Sequence, residues 1–138
     1  MEQMVIFENR RDAGRQLAPL LLEYKDRNPV VLAIPNGGVE VGIEVAGALG
    51  AELDVVVCRK IPIPLAPEGG MAAIADDGTM IVNETAVQRL GLTSEQINYE
   101  AAKVRADIKQ RSMRYRGERP LTRISGRTVI LVDDGLAS

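Results

Sequence analysis

The stretch TVILVDDGLAS, Thr128 to Ser138, decides the fold. Its first five residues, Thr128 to Val132, form a β-branched and apolar run of the kind that makes a strand buried on both faces. The run delivers two adjacent carboxylates, Asp133 and Asp134, into a turn of Gly135, Leu136, Ala137 and Ser138. An open α/β sheet binds its ligands beyond the carboxyl ends of its strands, where such a turn would lie. There the carboxylates can accept hydrogen bonds from vicinal sugar hydroxyls or stand near a magnesium ion. The glycine and its neighbours would let backbone N–H groups approach a phosphate. The plainer alternative is that both acids end a strand and solvate a turn.

Working outward, Val30 to Ile34 is a second continuously apolar run, followed by the turn PNGGVEVG, Pro35 to Gly42. Val39, Ile43 and Ala46 then repeat at helical spacing until Gly50 stops the helix. Leu53 to Cys58, within LDVVVCRK, reads as another buried strand. Strand, turn, helix and strand at this length make a βαβ unit with parallel strands. Before it, Asn9 caps a helix with Ala13, Leu17, Leu20 or Leu21, and Tyr24 on one face, which Pro19 must kink or shorten. After it, IPIPLAPEGG (Ile61 to Gly70) reads as a loop, and MAAIADDGTMIVN reads as a hairpin turning at Asp77–Gly78. Thr93 and Gln96 form a capping box that opens a long helix with Ile97, Ala101, Val104 and Ile108 on one face, ending near Gly117. The expectation is one α/β domain over residues 1–138, with a Rossmann-like parallel sheet and a hairpin insertion. Two or three parallel strands leave a hydrophobic edge and an uncovered face. The domain is therefore expected to be incomplete at its C-terminus.

Composition narrows the chemistry. With 46% hydrophobic but only 3% aromatic residues, the core must be aliphatic. The chain has no histidine, which excludes a Ser–His–Asp triad and most zinc sites. Its one cysteine, Cys58, cannot form an internal disulfide and reads as core packing. No apolar run reaches the length of a membrane span and MEQMVIFENRRD lacks a signal-peptide core, so a cytoplasmic protein without a membrane partner is expected. The net charge of −2 does not favour general attraction to nucleic acid. The basic stretch from Lys103 to Arg127 keeps that partner open, although no aromatics interleave it to stack bases. A solvated helix face is the default reading of the stretch, and a subunit interface or a contact to a partner's phosphates is the sharper alternative.

Other acidic strand ends fit poorly. A Walker B strand would need a preceding G-x-x-x-x-G-K-[ST], and a dinucleotide site would need G-x-G-x-x-G after its first strand. A receiver-type pocket brings its acid pair after the first strand, whereas this pair comes last. VILVDDGLAS instead resembles the phosphoribosyl-pyrophosphate (PRPP) signature of type I phosphoribosyltransferases: a hydrophobic strand, two acids, a glycine and small residues. PNGG is similar to that family's pyrophosphate loop, and CRK (Cys58 to Lys60) to the basic pair closing its second strand. The segment from Ile61 to Val82 lies where the family keeps a mobile loop. The resemblance runs from Arg10 to Ser138 and is closest to a bacterial and archaeal subgroup with PRGG, RK, a PE-containing loop and VDDG in that order. This chain departs by having Asn36 where the subgroup has arginine.

The resemblance implies Mg²⁺-dependent transfer of 5-phosphoribose from PRPP to a small-molecule nitrogen acceptor, with pyrophosphate released. By motif position, Asp133 and Asp134 would hold the ribose hydroxyls, directly or through Mg²⁺. Gly135, Leu136, Ala137 and Ser138 would begin the 5′-phosphate loop. Gly37 and Gly38 would let the backbone pass close to pyrophosphate, and Lys60 with Arg59 would neutralise it. For the glycines a simple strand-to-helix turn is an equal reading, and for the two cations a solvated strand end. Glu68 and Asp76–Asp77 lie near the mobile segment, with a turn role preferred for the aspartates. The same fold also serves PRPP- or nucleotide-sensing regulators. An open edge and the family's habit of dimerising make a homodimer an expectation.

Overall fold

The computed structural model describes residues 6–135, so the expectations for Leu136, Ala137 and Ser138 lie outside the described residues. The chain divides into two compact units, residues 1–55 with 121–138, and residues 56–120.

In the first unit, helix α1 (Arg10–Leu17) starts where the Asn9 side chain accepts a hydrogen bond from the Asp12 amide at 2.8 Å. It tightens into a 3₁₀ segment, Ala18–Tyr24, with Pro19 in its first turn. Pro19 lacks the N–H needed to continue the α-helical ladder, so the chain turns more tightly there. Strand β1 (Val30–Ala33), helix α2 (Gly37–Leu49) and strand β2 (Glu52–Val55) follow as the βαβ unit. Gly50 takes the left-handed conformation that ends α2 (φ 60°). The last strand among the described residues, β6 (Val129–Val132), pairs with the other side of β1, giving a parallel sheet in the order β2-β1-β6.

Ala13, Val31, Val41, Val45, Ala46, Leu49 and Val132 form one aliphatic core between α1, α2 and the sheet. The expected helix stripe of Val39, Ile43 and Ala46 is corrected here. Ile43 is exposed, and α2 buries Gly38, Val41, Gly42, Val45, Ala46 and Leu49 instead. Glycines bring this helix close to the sheet; a Cβ on Gly42 would stand 3.0 Å from that of Ala33. A count of large apolar residues misses a face built that way. Strand β6 is also less buried than its composition suggests. It is an edge strand, and Leu131 is 62% exposed.

The second unit holds an antiparallel sheet in the order β3-β4-β5, made of Cys58–Ile63, Ala66–Ala75 and Met80–Val82. The expected strand Leu53 to Cys58 is therefore two strands. It breaks after Val55, and CRK opens β3 rather than closing the second parallel strand. Nor is IPIPLAPEGG a loop: all of it but Pro64 and Leu65 lies within β3 and β4. Pro62 is tolerated because β3 is an edge strand whose pairing shifts register around it. The β4–β5 turn falls at Asp77–Gly78 as expected, with Gly78 at φ 92°. Helix α3 (Glu84–Leu90) leads to α4 (Ser94–Arg116), which opens on the Thr93–Gln96 capping box and ends at Gly117. Ile97, Ala101 and Ile108 are buried on α4, as are Ile61, Met71 and Ile74 on the sheet.

Candidate functional site

Because β1 and β6 are parallel neighbours, their outgoing turns leave from the same end of the sheet. Pairing persists to the last residue, with the Ile34 amide donating to the Val132 carbonyl at 2.8 Å. Residues 35–38 and 133–135 therefore begin side by side, and glycines make the approach possible. A Cβ on Gly38 would stand 2.8 Å from the Val132 oxygen and 3.2 Å from the Asp133 Cα. A Cβ on Gly37 would fall 1.8 Å from Asp134 Oδ2, a distance no two non-bonded atoms can hold. The double glycine of PNGG thus accommodates the acidic turn of VDDG.

Asp134 is held in that niche from a third element. Arg10, the first residue of α1, donates through Nε and a terminal guanidinium nitrogen to Asp134 Oδ2, at 3.2 and 3.0 Å. These bonds hold the Asp134 carboxyl below the usual carboxylate range. The positive end of α2, which starts at Gly37, favours the same charge. Asp133 Oδ1 accepts from the Asp134 amide at 2.8 Å. Among the described residues, Asp133 Oδ2 and Asp134 Oδ1 make no hydrogen bond, so each acid presents one free oxygen. The structure thus brings Gly37, Gly38, Asp133 and Asp134 together, while a Cβ on Gly135 would meet nothing within 4 Å.

Sequence reasoning overlooked Arg10, although a signal was present. Arg10 and Arg11 stand in the first turn of a helix, where the dipole disfavours cations. Such a placement calls for an anionic partner.

The basic pair belongs to the second unit and has its own partners there. Arg59 and Lys60 are successive residues of β3 and point to opposite faces. Arg59 donates twice to Asp107 Oδ2, at 2.8 and 2.6 Å, and Arg111 reaches the same oxygen at 3.3 Å. The Arg59 hydrogen bonds hold the Asp107 carboxyl below its ordinary value. Lys60 Nζ donates to the Glu68 carbonyl at 2.7 Å. A cleft of about 340 Å³ is lined by Arg59, Lys60, Pro62, Glu100, Lys103 and neighbouring α4 residues.

Two expectations for this unit are corrected. Asp77 has the turn role, accepting from the Thr79 amide at 2.8 Å, whereas the Asp76 side chain is buried and ion-paired with Arg116 at 2.6 Å. Cys58 is exposed and not a core residue. Local desolvation and then the Asp76 and Asp77 charges push its thiol above the ordinary value, leaving it mostly protonated at neutral pH.

Among the described residues, no cluster of three or more Cys, His, Asp or Glu side chains could hold a metal by itself. Asp133 and Asp134 supply hard oxygen donors suited to Mg²⁺ that arrives with other ligands, as it does on a diphosphate. No helix of the described residues is long and apolar enough to cross a membrane.

No family model matches the chain. Two Mycobacterium tuberculosis proteins, each named "Putative phosphoribosyl transferase", are 38% identical to it over 135 residues, 98% of this chain. The chain spans 30% of the length of these curated relatives. A crystal structure of TT1426 from Thermus thermophilus superposes with a TM-score of 0.79 at 40% identity, covering 94% of this chain and 62% of that one. The chain is similar to phosphoribosyl transferases. That likeness agrees with the mixed α/β architecture and its parallel three-stranded sheet.

Proposed function

We propose that this chain is the PRPP-binding portion of a type I phosphoribosyltransferase domain. It would serve the transfer of 5-phosphoribose from PRPP to a nitrogen nucleophile, most simply a nucleobase. One observation carries the reading: the Asp133–Asp134 turn and the Gly37–Gly38 turn nest together at the ends of two adjacent parallel strands. Similarity to proteins named as phosphoribosyl transferases supports it.

In this reaction the bond between ribose C1 and a pyrophosphate oxygen breaks, and its electron pair leaves with pyrophosphate. A nitrogen lone pair forms the new bond to C1, and the proton that this nitrogen carried passes to solvent. Positive charge on the ribose rises in the transition state, so ionised carboxylates near the ring help, and little acid–base machinery is needed. Asp133 and Asp134 would accept from the 2′- and 3′-hydroxyls through their free oxygens and orient the sugar. Gly135 to Ser138 would begin the 5′-phosphate loop. Lys60, with Arg59, would offset charge on the departing pyrophosphate. Bound Mg²⁺, held by substrate oxygens with Asp133 and Asp134, would supply further charge neutralisation.

A regulator on the same fold is the second reading. It draws on the C-terminal half of α4, where Arg105, Lys109 and Arg114 are exposed and Asp107, itself paired with Arg59 and Arg111, is the one acidic residue in that stretch of sequence. Pyrophosphate release distinguishes the two. With PRPP, Mg²⁺ and a panel of nucleobases, the enzyme reading expects release with at least one base, lost in the Asp133→Asn/Asp134→Asn chain. Salt-sensitive nucleic-acid binding without release would favour the regulator.

A further inference from the structure

We propose that Arg10 is a positioning residue for the ribose site, acting through Asp134. The inference rests on the PRPP reading above and adds a residue that the signature motifs do not contain.

Three elements meet at one carboxylate oxygen. Asp134 leaves the end of β6, Gly37 starts α2, and Arg10 starts α1; both donors of the Arg10 fork converge on Oδ2. Gly37 blocks one side, because the absent Cβ is what admits the carboxylate. Arg10 blocks another. The side chain is left with one orientation, in which Oδ1 is the free oxygen. A carboxylate on an exposed turn would otherwise sample several rotamers, and a ligand would have to immobilise it on binding.

Stability is not what this pair provides. The Arg10 and Asp134 side chains are 53% and 38% exposed, and exposed ion pairs contribute little to folding. Helix α1 is docked by buried Ala13 and Gly14, independently of the fork. The ion pair therefore fixes a direction, which a ligand of Asp134 would use.

The test is a double-mutant cycle on the full chain, reading calorimetric affinity for PRPP with Mg²⁺. The proteins are wild type, Arg10→Ala, Asp134→Asn and the double variant, with Arg10→Lys as the conservative replacement and thermal unfolding as the fold check. Arg10→Ala should weaken PRPP binding about tenfold, within the range of coupling for residues in contact. It should leave the unfolding temperature unchanged. In the Asp134→Asn background the same change should have no further effect. Arg10→Lys should restore part of the loss, because lysine replaces a planar fork with a point charge. If Arg10→Ala weakens binding equally in both backgrounds, Arg10 acts on the ligand directly and the inference is overturned. No weakening at all overturns it too. A folded wild-type chain that ignores PRPP overturns the PRPP reading itself, and this inference with it.

Discussion

Gly37 and Gly38 have one explanation in the sequence and another in the structure. In PNGG they read as a way to bring backbone close to pyrophosphate. In the fold both face the turn after β6, and the missing Cβ of Gly37 is filled by the Asp134 carboxylate. Only the pairing of two distant segments, at positions 37 and 134, reveals this, and one sequence cannot show it. Asp133 and Asp134 themselves were legible, because a buried strand ending in two acids and a glycine is a local pattern. Arg10 was hidden by sitting 124 residues from its partner. A sharp expectation follows for Gly37→Ala. Alanine suits the first turn of a helix better than glycine, so α2 should not weaken. The new methyl group must nevertheless expel the carboxylate. Binding of PRPP should fall about tenfold or more with unchanged thermal stability. Gly47, with nothing within 4 Å of its Cβ position, is the control; Gly47→Ala should add about 0.4–1 kcal/mol of stability. Retained binding in Gly37→Ala would mean that the niche does not matter.

At the scale of elements, the parallel strands and capped helices were readable because each announces itself locally. Asn9, Gly50, the Thr93–Gln96 box and the Asp77–Gly78 turn all lie where their side-chain chemistry requires. The β3–β4 hairpin was not readable. Prolines and glycines signal a loop unless the strand is an edge and the glycines absorb a register shift, as Pro62 opposite Gly70 does here. Asp76 was misread for a related reason: its neighbour Asp77 does make the turn. Asp76 instead turns inward, where Oδ2 accepts from the Val57 amide at 3.1 Å and from Ser112 and Arg116 on α4. One oxygen thus ties the start of β3, the end of β4 and the last turns of α4. The Asp76 and Arg116 side chains are only 2% and 6% exposed, and among the described residues Asp76 Oδ1 has no hydrogen-bond partner. Removing the cation would leave a buried carboxylate short of compensation. Arg116→Met should therefore cost roughly 3–5 kcal/mol in urea unfolding. A loss below about 1 kcal/mol, the range of an exposed pair, would show that water reaches this site.

For the whole molecule, composition set the limits and topology did the rest. An aliphatic, histidine-free chain is compatible with a reaction that depends on charge and alignment more than on proton transfer. The order β2-β1-β6 then puts the most informative loop beside the first βα turn. Its division into two compact units was not legible, because the boundary falls inside the apolar run LDVVVC and no linker composition marks it. The central claim is that the nested turns form a ribose-phosphate site. Calorimetric titration of the chain with PRPP and Mg²⁺, beside the Asp133→Asn/Asp134→Asn variant, tests it most directly. The account predicts saturable binding by the wild-type chain and its loss in a variant that remains folded. Equal binding by both proteins would contradict it.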